Sequence, residues 1–97
     1  MKISNLYFYG SKVKSENITF DSGTIEVRDC DLSNVIKLLT DKIEGGDLFK
    51  VGFDMDEGFY YESFCFASCI DEANNYFTLA TSGVIEDKTN YLESKND

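Results

Sequence analysis

The sequence predicts an α+β fold: a mostly antiparallel sheet of about six strands, in the order β-β-β-α-β-β-β, with one helix packed on one face. Runs of β-branched and aromatic residues recur between glycine-containing turns, which is typical of hairpins. One segment, residues 32–44, instead repeats its apolar residues at helical spacing. A chain of 97 residues can bury one hydrophobic core. We therefore expect a single domain over residues 1–92 and a flexible polar tail over residues 93–97.

Three predicted strands precede the helix. Residues 2–9 carry apolar side chains on both faces and form the first strand. The second lies around residues 18–20 and the third spans residues 24–28, in which apolar and polar side chains alternate. Gly23 lies between them, and glycine adopts the left-handed conformation of a tight turn without steric cost. The second and third strands are therefore predicted to form a hairpin.

Residues 32–44 form the predicted helix. Its apolar stripe consists of Leu32, Val35, Ile36, Leu39 and Ile43. Asp31 is the expected N-cap, because a carboxylate there accepts hydrogen bonds from the amides of the first turn. The pair Gly45-Gly46 ends the helix, with one glycine as the left-handed C-terminal cap.

The longest predicted hairpin joins residues 48–54 to residues 59–70 through a turn that closes at Gly58. Its second arm is apolar or small on both faces, which favours a central position in the sheet. We expect the helix to pack on the side that carries Cys65 and Ala67. The opposite side is expected to carry Phe64, Phe66 and Ile70, and it requires cover from sheet curling, the tail, a second copy or a partner.

The polar run 71–75 predicts a third hairpin, which leads into a strand over residues 76–81. Gly83 interrupts that strand, and the following Val84-Ile85 pair is expected to add a short edge strand. No run of about 20 apolar residues is present, so the sequence predicts no membrane span. Three cysteines without a signal-like segment favour a reducing compartment, and we expect a cytoplasmic protein.

The charge of the chain is negative and regional. Eighteen acidic and nine basic residues give a net charge of −9, of which residues 41–72 contribute −7. Such a surface repels nucleic acid and anionic lipid and favours basic partners, although it is also compatible with a solvated face that opposes aggregation. The candidate partner-binding residues are Asp41, Glu44, Asp47, Asp54, Asp56, Glu57, Tyr60, Glu62, Asp71 and Glu72. Tyr60 is the expected anchor, because tyrosine is enriched at interface centres.

The sequence offers little catalytic chemistry. It contains no histidine, the usual proton carrier near neutral pH, and its three cysteines lie in apolar surroundings that favour the inert thiol. Cys65 and Cys69 are roughly 13 Å apart on a strand, too far to share a metal ion. Residues 54–58 are similar to the start of a calcium loop but lack its later ligands. We expect no enzyme activity, no catalytic residues, no metal site and no cofactor, with a weak cation site at residues 54–62 as an open alternative.

These observations predict a non-enzymatic acidic binding protein that antagonises a basic partner, a nuclease or other nucleic-acid-binding protein, by occluding the partner's binding surface. Carboxylates would replace phosphates and aromatic rings would replace bases, so the protein acts as a nucleic-acid mimic without binding nucleic acid itself. Phage-encoded inhibitors of restriction or CRISPR nucleases and immunity proteins against nuclease toxins are small acidic proteins of this general sort. The alternative is a homo-oligomeric structural or assembly module, in the simplest case a homodimer, that pairs through the sheet face carrying Phe64, Phe66 and Ile70.

Overall fold

The structure is a computed structural model that describes residues 2–13, 15, 17–55 and 58–88. The strands in these ranges are β1 (Lys2–Phe8), β2 (Ser11–Val13), β3 (Asn17–Asp21), β4 (Thr24–Arg28), β5 (Phe49–Met55), β6 (Tyr60–Asp71) and β7 (Tyr76–Asp87). The helix α1 spans Ile36–Gly45 and follows a 3-10 turn over Leu32–Asn34. The predicted tail over residues 93–97 lies outside the described residues.

The described strands form a β-barrel, because the sheet closes on itself. Its order is β2-β1-β3-β4-β7-β6-β5, and β1 also pairs antiparallel with β5, with Leu6 opposite Phe53 and Phe8 opposite Val51. Six antiparallel strands therefore complete the ring, and β2 lies beside the end of β1. The predicted antiparallel sheet and helix are confirmed, and the sheet curls into a closed barrel, which is a more specific architecture than the sequence predicted.

Four described strands, rather than the three predicted, precede the helix. The additional strand is β2, which forms a hairpin with β1 through Tyr9 and Gly10. Both residues have positive φ, at 51° and 82°, as a two-residue type I′ turn requires. Ser22 and Gly23 repeat this geometry between β3 and β4, where the sequence predicted a turn.

The barrel interior is filled with side chains. Every second residue of β5 points inward and is buried: Phe49, Val51, Phe53 and Met55. Phe8 meets the ring of Phe49 edge to face, with centroids 5.4 Å apart. Aromatic pairs in this arrangement contribute about 0.5–1.5 kcal/mol beyond the burial of their area. The barrel therefore encloses a packed core rather than a channel.

The helix packs against β6, and its residue Leu39 is fully buried. Asp31 accepts a 3.1 Å hydrogen bond from the amide of Ser33 and so caps the 3-10 turn, whereas α1 itself begins after Val35, which makes no side-chain cap bond. Gly46 has a φ of 65°, which confirms the predicted C-terminal cap. The first turn is 3-10 rather than α, and Ile43 is 40% exposed, so the buried stripe is shorter than predicted. Within the described residues, no helix has the length and apolar composition needed to cross a bilayer.

A bulge in β6 changes which side chains face the core. The register between β6 and β7 shifts at residues 67–69, where β6 carries one extra residue. The alternation of faces reverses there, so Ile70 packs against the core, while Phe64 and Phe66 point outward with 52% and 43% exposure. The prediction that Ile70 shares a face with the two phenylalanines was therefore wrong. Cys65 is buried on the core side, as predicted.

The last strand is longer than predicted because it passes through a second bulge. Gly83 does not end β7 but has a φ of 93°, which glycine tolerates. Ser63 of β6 lies opposite Ile85, whereas Cys65 lies opposite Thr81, so β7 carries two extra residues in this interval. The Ser63 hydroxyl donates a 2.8 Å hydrogen bond to the Val84 carbonyl inside the bulge.

Candidate binding surface

The outward side chains of β1, β5, β6 and the end of β7 form one continuous surface, which we call the outer wall. Successive residues of a strand point to opposite faces, so the outward residues of neighbouring strands lie side by side. Two adjoining depressions of this surface share Lys50 and Glu62. The outer wall comprises Tyr7, Tyr9, Lys50, Asp54, Tyr60, Glu62, Phe64, Val84 and Glu86.

Asp54 links β5 to β1 on the outer wall. Its carboxylate accepts a 2.8 Å hydrogen bond from the Tyr7 hydroxyl and a 3.1 Å hydrogen bond from the side-chain amide of Asn5. Both donors come from β1, since the barrel-closing register places Asn5 opposite Asp54. Burial, together with the hydrogen bond to Asp54 and the charge of that carboxylate, raises the pKa of Tyr7 to about 12. Tyr7 is therefore a neutral phenol and a hydrogen-bond donor at physiological pH.

Tyr60 extends this cluster from β5 to β6. It pairs with Asp54 across the β5–β6 hairpin, and its ring meets that of Tyr7 edge to face at a centroid distance of 6.1 Å. Its hydroxyl lies 3.4 Å from a carboxylate oxygen of Glu62. Burial and then the Glu62 carboxylate raise the pKa of Tyr60. The rings of Tyr7 and Tyr60 therefore form an aromatic pair beside the carboxylates of Asp54 and Glu62.

Two carboxylates face each other across β6 and β7. Glu62 lies directly opposite Glu86, an arrangement in which like charges repel. Each has its own lysine: Lys50 is 3.4 Å from Glu62, and Lys88 is 3.0 Å from Glu86. Exposed ion pairs contribute at most about 1 kcal/mol, because water screens them. Asp54 adds a third carboxylate, so the net charge of the outer wall is negative. This charge is smaller than the number of candidate acidic residues in the sequence suggested.

An apolar area adjoins these charges. Phe64 and Val84, the latter 65% exposed, line the same depression as Lys50 and Glu62. Phe66 is the next outward residue of β6 and is also exposed. Aromatic side chains with a polar rim are typical of protein–protein interfaces.

The structure brings together three of the predicted partner-binding residues, Asp54, Tyr60 and Glu62. Asp71 and Glu72 lie at the far end of β6, about 30 Å along the strand from Glu62 at 3.3 Å per residue. Asp71 accepts hydrogen bonds from the amide and side chain of Asn74 and so caps a short 3-10 turn. These two acids therefore belong to a different part of the surface.

The remaining predicted acids form a third group or lie outside the described residues. Asp41, Glu44 and Asp47 are exposed at the end of α1 and just beyond it. Asp56 and Glu57 are outside the described residues. Charges act together over about one Debye length, ~8 Å at physiological salt. Asp71 and Glu72 lie well beyond that distance from Glu62, so the acids that the structure describes do not all belong to the single band that the charge distribution in the sequence suggested.

The surface provides little for bond-breaking chemistry. Burial raises the pKa of Cys65 to about 11, and burial followed by the charge of Asp31 raises that of Cys30, so both thiols are inert at neutral pH. Among the residues that the structure describes, no group of three or more metal-ligating side chains could hold an ion. The features of the outer wall, namely its depressions, aromatic rings and charges, are suited to binding.

Sequence reasoning missed Tyr7, Glu86 and Val84 as members of this surface. Tyr7 joins Asp54 only through the pairing of β1 with β5, which are far apart in the chain. Glu86 and Val84 join it only because β7 continues beyond Gly83. No local sequence signal marks either event.

Comparison with known proteins adds no family to these observations. The chain matches no protein-family model, and no curated protein or solved structure is similar enough to count as a match.

Proposed function

We propose that this chain is a non-enzymatic acidic binding protein of the cytoplasm that antagonises a basic, nucleic-acid-handling partner by occluding the partner's binding surface. The contact is made by the outer wall. The observation that carries the proposal is the placement of the half-buried Tyr7 and Tyr60 rings beside the half-buried carboxylates of Asp54 and Glu62 on the outer wall.

This arrangement suits a groove that normally holds a nucleic acid. Such grooves combine lysine and arginine side chains, which contact phosphates, with flat surfaces on which bases stack. The carboxylates of the outer wall supply negative charge, while Tyr7 and Tyr60 supply neutral rings. The net charge of −9 additionally steers the protein towards a basic partner and raises the association rate at low salt.

The experiment compares two charge reversals that change the net charge equally. Glu62→Lys plus Glu86→Lys alters the outer wall, and Asp41→Lys plus Glu44→Lys alters the exposed end of α1. Affinity for a basic nucleic-acid-binding protein, captured from lysate at low salt and then purified, should fall about tenfold or more for the first variant and much less for the second. Equal losses would contradict the outer wall as the contact surface.

A competition assay tests the antagonism itself. The purified partner should lose nucleic-acid binding as this protein is added, and excess nucleic acid should release the protein. Formation of a ternary complex that contains the partner, the nucleic acid and this protein would rule out occlusion.

A second candidate function, a homo-oligomeric structural or assembly module, is favoured by the exposure of Phe64 and Phe66 on β6. In this case the apolar area around Phe64 and Phe66 would pack against its copy without Ile70, which is partly buried against the core. Light scattering should then report a dimer that dissociates in Phe64→Ser plus Phe66→Ser but persists in Ile43→Ser, an exposed apolar residue of α1. A monomer at all concentrations tested would exclude the module.

A further inference from the structure

The outer edge of β7 carries no neighbouring strand beyond Thr81 among the described residues. Strand β4 pairs with β7 only from Phe77 to Ala80, and the Thr81 amide makes a last bond to the Gly23 carbonyl. On the other edge, β6 stays paired with β7 as far as Asp87. All side chains of residues 82–87 are exposed.

The direction of the backbone groups follows from two hydrogen bonds. The Val84 carbonyl accepts from the Ser63 hydroxyl, and the Lys88 amide donates to the Tyr60 carbonyl, so both groups face β6. Backbone groups of successive residues in a strand point to opposite edges. The amide and carbonyl of Ile85 therefore face away from β6, towards the open edge.

This edge has only part of the usual protection, which Glu86, Asp87 and the bulge at Gly83 supply. Natural edge strands are protected by charged residues, above all lysine, by proline, by bulges or by cover, because unpaired amides and carbonyls recruit other strands. Residues 82–87 contain neither lysine nor proline, and Val84 and Ile85 are both β-favouring residues with exposed side chains. The bulge at Gly83 limits the regular part of the edge to the residues that follow it.

Charge decides which strand fits. Glu86 is exposed next to this edge, lies opposite Glu62 and pairs with Lys88 at 3.0 Å, so a strand that brings lysine or arginine beside it adds a further positive charge to this like-charge contact. A second copy would instead bring another chain of net charge −9 against this one. Apolar residues alternating with the basic ones would point to the opposite face of the sheet, where Ile85 lies with 38% exposure.

We propose that the open edge of β7 binds an extended segment of the partner, with alternating basic and apolar residues, as an additional strand. The inference rests on the proposed function and specifies how the partner is held. Main-chain hydrogen bonds supply affinity in this mode, and side chains on alternate positions supply specificity. The added strand continues the sheet of the outer wall, so the rest of the partner would cover that surface.

Amide hydrogen exchange of the full chain provides the first test, with an internal control. In the protein alone, the Ile85 amide should exchange fast and the neighbouring Glu86 amide, which faces β6, should exchange slowly. Equal protection of both amides in the monomeric protein would show that the chain covers its own edge. Equal protection in a dimer would assign the edge to a second copy. Either result would overturn the proposal.

The second test uses the peptide acetyl-Lys-Val-Arg-Val-Lys-Val-amide and the same peptide with every backbone amide N-methylated. The unmodified peptide should slow exchange at Ile85 about tenfold, while the methylated peptide should not. Equal binding of both peptides, or unchanged exchange at Ile85, would overturn strand addition. These outcomes are distinct from failure of the proposed function, which would be shown if Glu62→Lys plus Glu86→Lys left the affinity for the partner unchanged.

A variant gives a third, independent readout. Ile85→Pro removes the outward amide without removing a bond to β6, so it should abolish peptide binding, whereas Ile85→Thr should retain it. The comparison applies if circular dichroism shows that both variants are folded. If proline unfolds the protein, the exchange and methylation tests still decide.

Discussion

The side chain of Tyr60 lies over the backbone of Gly52, its diagonal neighbour on the outer wall. A Cβ atom on Gly52 would overlap the Tyr60 hydroxyl and approach the ring carbon Cζ to 2.9 Å. Gly52→Ala should therefore displace the ring, break its bond to Glu62 and lower the free energy of unfolding by about 1–2 kcal/mol. Urea denaturation measures this change.

The same substitution should have the opposite sign when the ring is absent. In a Tyr60→Ala background, Gly52→Ala should raise stability by about 0.5–1 kcal/mol, because alanine loses less conformational entropy in a strand than glycine. A similar cost in both backgrounds would show that something other than Tyr60 requires glycine here.

The burial of Tyr7, together with its hydrogen bond to Asp54, predicts a pH dependence of stability at alkaline pH. The folded pKa of Tyr7, about 12, lies above its ordinary value of 10, so folding favours the protonated phenol. The resulting stabilisation is complete below pH 10 and is lost as the pH rises to about 12. Tyr7→Phe should flatten the stability profile in this interval, and Asp54→Asn should shift the NMR titration of Tyr7 to lower pH. A Tyr7 titration near pH 10 in the native protein would contradict the prediction.

Burial separates the three cysteines into two reactivity classes. Cys69 is exposed, whereas Cys30 and Cys65 are buried and their raised pKa values keep them as thiols at pH 8. Iodoacetamide should therefore add one adduct to the native protein and three after denaturation, as read by intact mass. Cys69→Ser should leave the native protein unmodified, and rapid modification of that variant would show that the core opens.

The bond between Ser63 and Val84 should stabilise the bulge in β7. Ser63→Ala removes the donor to the Val84 carbonyl and should lower stability by about 1–2 kcal/mol. The matched control is Ser82→Ala, in the same bulge but exposed, which should change stability by less than about 0.5 kcal/mol. If the two variants are equally stable, water replaces the lost donor.

Local signals in the sequence predicted most of the secondary structure. Glycines at the turns, the polar cap at Asp31 and the helical spacing around Leu39 each depend on neighbouring residues. The hairpin turn at Gly23 and the helix end at Gly46 follow the same logic, and both adopt positive φ.

Features that depend on distant pairing were not predictable in this way. The sequence around Ile3 contains no indication that β1 will pair with β5 near Met55, yet this pairing converts a sheet into a barrel. No local sequence pattern predicts the bulges either, although one extra residue near Cys69 is enough to turn Ile70 inward. The candidate surface was consequently predicted only where its residues are close in the chain, as with Tyr60 and Glu62.

The closure of the barrel between its first and fifth strands also governs the order of events during synthesis. The apolar side chains of β1 leave the ribosome about fifty residues before β5 can cover them. Folds dominated by such distant pairings reach the native state in milliseconds to seconds, slowly for a chain of this size. The nascent chain must therefore remain soluble with an uncovered strand before most of its net negative charge has been synthesised, because residues 1–40 carry five acidic and five basic residues.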